Sequence, residues 1–166
     1  MNIRVLLSYG AGLFISAIFV DSLRFKFTGH ETPHHIFTTL RDWSGIDLFY
    51  PAGPWIIGLG ELGAAVFLIA LALFFRFTGK PVLEAAAQSL GALAAFGIMT
   101  GAISFHLFTP LGIETPVTWE NGVATEYSGA LFIAACVTWF CSILIMVLRG
   151  PQALTLLSPK AEPANA

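Results

Sequence analysis

Apolar and polar positions fall into long blocks along this chain rather than short alternations. Four apolar runs stand out, at about 5–23, 55–75, 83–108 and 127–148. Each is near the ~20 residues that a helix needs to cross the roughly 30 Å hydrocarbon layer of a bilayer. Lipid offers no partners for free backbone groups, so runs of this kind must be helical. The pattern predicts an all-α membrane protein, a four-transmembrane-helix bundle over residues 1–150. The turn from Arg76 to Pro81 is short, which makes the second and third spans antiparallel neighbours. No A-x-A site precedes Asp21, so the first run is expected to be a retained span rather than a cleaved signal.

The connections carry patterns of their own. The loop after the first span contains "TPHHIFTTLRDW". Thr32 suits a helix N-cap and Pro33 the first helical position. Ile36, Phe37, Leu40 and Trp43 then share one face, which predicts a short amphipathic helix lying in the membrane interface. The loop after the third span contains "VTWENGVATE". Asn121-Gly122 between β-prone residues predicts a small β-hairpin flap, because both central residues of a type I′ turn need positive φ. Residues 151–166 include three prolines and are expected to form a flexible tail.

Composition narrows the picture further. Hydrophobic residues make up 56% and charged residues 11% of the 166 positions, and the mean hydropathy is +0.78. Soluble domains carry about 25% charged residues, so a water-soluble enzyme is excluded. A disordered chain would need low hydrophobicity. A nucleic-acid partner would call for a basic face, and the net charge here is −2. The expected first partner is the lipid bilayer.

Charge also orients the spans. Arg4, Arg76, Lys80, Arg149 and Lys160, with Glu84 and Glu162, give one side a net +3. Arg24, Lys26 and Arg41, with seven acids from Asp21 to Glu126, give the other side −4. Both termini are expected to be cytoplasmic and the two longer loops outside. Trp43, Tyr50, Trp55, Trp119 and Tyr127 would form the outer aromatic belt. Of eighteen charged residues, seventeen sort to one side or the other, and the exception, Glu61, lies within the membrane.

Glu61 is the first chemical candidate. It sits about 9 Å of helix beyond Trp55, and an ionisable group at that depth usually faces a cavity or a partner. Gly58, Ala64 and Ala65 share its face, so it should point into the bundle. His106, near the outer end of the third span, lies in the same half of the membrane. A Glu61–His106 pair could share a proton near neutral pH. Lys26 ends the first span on that side, and Trp55 is the candidate to flank a bound ring. His30, His34 and His35 lack metal-site spacing, and no metal is expected. Cys136 and Cys141 are five residues apart on one helix, roughly 140° around it, too far round for an intrahelical disulfide. Gly97 and Gly101 form a small-xxx-small pair that predicts a close helix crossing.

Taken in order, "SLRFKFTGHETPHHIF", "GLGELGAA" and "GAISFHL" with "LGI" resemble the DoxX-like membrane proteins over about residues 5–150. The resemblance implies a small multi-pass protein of a bacterial inner membrane. It also implies Lys26, Glu61 and His106 as signature positions. The related DoxD-like proteins include a membrane subunit of thiosulfate:quinone oxidoreductase, and other relatives associate with redox-defence complexes. The expectation is an accessory or structural subunit of a larger, redox-linked membrane complex, not catalytic alone. The alternatives are a quinone-linked oxidoreductase component using a pocket at Glu61 and His106, with quinone as its cofactor, and a small-molecule carrier. Against the carrier, no pair of broken helices in repeated halves is visible.

Overall fold

The computed structural model describes residues 2–157. Four helices are long and apolar enough to cross a membrane. They are α1 (Ile3–Phe27), α3 (Ala52–Phe77), α4 (Pro81–Phe108) and α5 (Ala130–Ala153), the last continuing as a 3₁₀ turn over Leu154–Leu157. A shorter helix, α2 (Glu31–Ser44), and a hairpin of β1 (Thr115–Glu120) and β2 (Val123–Ser128) fill the two long connections. The architecture is that of a multi-pass membrane protein. Successive antiparallel spans place α2 and the hairpin at one end of the bundle, the loop end, and the start of α1 and the end of α5 at the other, the terminal end.

The spans are longer than their apolar runs. Helix α1 starts at an Asn2 cap, whose side chain accepts from the Arg4 N–H at 3.1 Å, and runs through Lys26. The fourth span begins at Ala130 rather than about 127, because Tyr127 and Ser128 belong to β2. Helix α5 also carries on past Gly150 through Pro151, where the prolines predict a flexible tail. The rest of that tail, 158–166, lies outside the described residues.

The buried faces follow helical spacing. Ser8, Gly12, Ile15 and Phe19 line the inner face of α1, and Thr138, Ser142, Ile145 and Arg149 that of α5. Between them, Ile15, Phe19, Leu68, Ala92 and Ile145 form an apolar middle layer. Helix α3 widens into a π-helical segment over Val66–Leu71, which sets the fully buried Leu68 between α1 and α4. Gly91 makes room for it. A Cβ there would lie 2.9 Å from the Ala64 carbonyl oxygen and from the Leu68 nitrogen, closer than atoms pack. The close crossing therefore falls at Gly91. A Cβ at Gly97 or Gly101 would meet nothing within 4 Å among the described residues, so the predicted crossing at that pair does not form.

At the loop end the hairpin turns as its sequence predicts, with φ of 51° at Asn121 and 79° at Gly122. Its pairing is irregular between Pro116 and Trp119. Thr32 does not cap α2. His30 does, accepting from the Thr32 N–H at 3.2 Å. The Thr32 hydroxyl instead donates to the Pro116 carbonyl and accepts from Trp119 Nε1, both at 3.0 Å. This clasp fastens α2 to β1. Of the predicted belt, Trp43, Trp55 and Tyr127 are exposed, while Trp119 is half-buried in the clasp and Tyr50 packs against His34.

Candidate functional site

The inner face of α1 continues past Phe19 to Ser22 and Lys26 at helical spacing, and this stripe meets α3 at Glu61. The Glu61 side chain is 4% exposed and the Lys26 side chain 14%. Lys26 Nζ donates to both carboxylate oxygens, at 2.9 and 2.7 Å, and lies 3.0 Å from Ser22 Oγ. Ser22 Oγ is 2.6 Å from Glu61 Oε2 and 2.7 Å from the Phe19 carbonyl. Its single proton serves one of these acceptors at a time. Gly58 lets the two helices approach, because a Cβ there would strike the Phe27 ring at 2.5 Å.

This triad forms one polar wall of an apolar cavity of 520 Å³ in the loop-end half of the bundle. Phe19 and Met99 form its floor, Phe37 and Leu40 of α2 its roof, and Ile57 and Phe105 its sides. The roof residues belong to the apolar face of α2, and Gly53 gives Phe37 its seat on α3. The predicted amphipathic helix thus turns its apolar face onto the bundle.

His106 also lines the cavity and is buried. Its Nδ1 lies 2.6 Å from the Gly112 carbonyl, which can only accept, so Nδ1 carries a proton. The ring meets Phe132 edge-on. Among the described residues no hydrogen bond joins His106 to Glu61. The structure therefore brings Lys26, Glu61 and His106 to one cavity, but the partner of Glu61 is Lys26, with Ser22, and not His106. Trp55 stands apart. It is 52% exposed and stacks on Phe27 at 4.7 Å, outside the cavity, where it cannot flank a ligand held there.

A second polar cluster at the terminal end escaped the sequence pattern. Glu84 and Arg149, sorted there with the water-facing charges, are both buried. Arg149 Nη2 is 3.0 Å from Glu84 Oε1, and Arg76 reaches the same oxygen at 3.4 Å. Ser8 bonds Gln88 one turn further along α4, at 3.0 Å. The readable signal is the i, i+4 step from Glu84 to Gln88, which leads to Ala92 and Ala95 on the core face.

The three loop histidines face three different aromatic rings: His30 faces Phe25, His34 faces Tyr50 and His35 faces Trp119. Burial, followed by the neighbouring charge of His34, pushes His35 below its ordinary value of 6.5. The folded chain therefore resists protonating His35 more than the unfolded chain does. The stabilising term is complete above pH 6.5 and is lost as pH falls from there through the lowered folded value. Lowering the pH from 7.5 to 5.5 should reduce the thermal midpoint of the purified protein, and should do so less in His35→Gln. An equal drop in both proteins would show that His35 is not the sensor.

Comparison with family models, curated proteins and solved structures returned no match.

Proposed function

We propose that this chain is a DoxX-like subunit of a redox-linked membrane complex, and that its loop-end cavity holds the head of a lipid-soluble quinone-type molecule. One observation carries this reading. An apolar cavity of 520 Å³, within the ~300–1,000 Å³ range of small-molecule sites, presents donors and an acceptor at a single point. Lys26 and Ser22 can donate to a ligand carbonyl, and Glu61 can accept from a ligand hydroxyl. A quinone and its reduced form interchange those two groups, and both find partners here. His106, on the same cavity, offers Nε2 to the ligand because Nδ1 is engaged with Gly112.

The resemblance of the Lys26, Glu61 and His106 segments to DoxX-like proteins points the same way. The charge bias supports a cavity in the outer half of the membrane with both termini cytoplasmic. The fully buried middle layer supports a blind pocket over a carrier path. The exposed apolar flanks leave surface for lipid and for a partner subunit that exchanges electrons with the ligand.

The test is extraction. Protein isolated in native lipid discs should release quinone on organic extraction, measured by mass spectrometry against protein-free discs. The Lys26→Met/Glu61→Gln double variant, which keeps the cavity free of an unpaired charge, should lose it. A native sample with no quinone above the lipid background, and no uptake of added quinone, would overturn the reading.

A further inference from the structure

We propose that the ligand of this cavity carries one linear apolar chain, which leaves sideways between α3 and α4 and lies in a groove on the outer face of that helix pair. The proposal rests on reading the cavity as a site for a lipid-soluble head, and adds where such a molecule enters and how its remainder is held.

Most walls of the cavity are closed. The roof is sealed by Phe37, Leu40 and Leu111, all buried, with Thr115 and Pro116 buried behind them. The α1–α3 seam is shut by the Lys26–Glu61 pair and the Phe27–Trp55 stack. The α4–α5 seam is shut by Trp139, which stacks on Phe96 at 5.2 Å and donates to Thr100 at 2.9 Å.

The α3–α4 side differs. Ile56 lines the cavity yet is 51% exposed, more than Leu131, the lining residue of α5 at 42%, and Ile46 and Leu48 of the segment that precedes α3 are exposed as well. Opposite them on α4 stand Gly97 and Gly101, where even a Cβ would meet nothing within 4 Å among the described residues. Two glycines that make no helix contact leave an opening about one side chain deep, facing where lipid would lie.

A shallow groove of 310 Å³ continues along the same two helices. Gly60, Gly63 and Ala94 are among its lining residues, with Phe67 and Leu90 at its sides. On α3 it starts one turn beyond Ile56, and on α4 one turn before Ile98. The Cδ1 of Ile98, 3.3 Å from a Cβ placed on Gly60, is the flexible sill between cavity and groove. Every lining residue of the groove is apolar or glycine, so a saturated or isoprenoid chain fits and a polar tail does not. The headgroup would sit against Lys26, Ser22 and Glu61 while its chain stays in contact with lipid.

Two probes with the same benzoquinone head decide it, one bearing a methyl group and the other a decyl chain. Binding is measured in lipid discs and corrected for partition into protein-free discs. The native protein should bind the decyl probe about tenfold more tightly. Gly63→Leu fills the groove without touching the cavity, and its side chain starts in open space. It should remove that advantage and leave the methyl probe unchanged, at an unaltered melting temperature. Gly97→Leu should slow uptake of the decyl probe. Equal binding of both probes by the native protein, or equal loss of both in Gly63→Leu, would overturn the lateral chain and leave the cavity reading standing. Binding of neither probe would remove both.

Discussion

Replacing Lys26 by methionine should destabilise the protein by about 3–5 kcal/mol, the range for breaking a buried ion pair from one side. The cost arises because Glu61, only 3% exposed, keeps its carboxylate with a single hydroxyl, that of Ser22, as partner. Glu61→Gln should cost less. It strands the ammonium of Lys26, but that side chain is 14% exposed and sits one residue from the end of α1. Its long stem can carry the charge out toward water. The double variant should recover most of the loss of the Lys26→Met single, since a pair replaced by groups of similar volume is often neutral. Thermal midpoints of the four proteins in lipid discs check the order. Equal losses for the two singles would mean that both charges can reach water, and that the cavity wall is wetter than its geometry implies.

The depth of Glu61 is legible in the sequence because a carboxylate within twenty apolar residues has few places to go. Its partner is hidden by a boundary effect. Lys26 follows Arg24 and Asp21 at the end of an apolar run, and a span read by hydropathy stops there, although the helix and its buried stripe continue one more turn. The ends of the runs conceal Glu84 and Arg149 as well: Glu84 is the second residue of its run and Arg149 the first beyond its own, positions that read as water-facing although both lie on the inward face. Asn121-Gly122 is legible because its backbone requirement is local. Thr32 is misread for the opposite reason: its hydroxyl suits a cap, but a tertiary partner, the Trp119–Pro116 clasp, takes it. Gly97 and Gly101 carry a pattern that fits a helix crossing and an open wall equally well, and only the position of the neighbouring helix separates the two.

Glu84→Gln should be the most damaging single change at the terminal end, again by about 3–5 kcal/mol. Two guanidinium groups lean on this one carboxylate. Removing it leaves Arg149, 3% exposed, buried with no anion among the described residues, beside a second cation. Arg149→Met should cost less, because Arg76, 3.4 Å away, can close on the abandoned carboxylate. Arg76→Gln should cost about 1 kcal/mol or less, in keeping with a partly exposed pair. Combining Glu84→Gln with Arg149→Met should recover much of the first loss. This cluster stands near the far end of the bundle from Glu61, which is sixteen residues before Phe77 on α3, roughly 24 Å of helix. The apolar layer of Ile15, Leu68 and Ile145 lies between. Losses from Glu84→Gln and Lys26→Met should therefore add to within about 0.5 kcal/mol, and Glu84→Gln should leave the proposed retention of quinone unchanged in the folded fraction. A coupling well above that value would mean that the middle layer transmits strain, and that the two polar ends act as one unit.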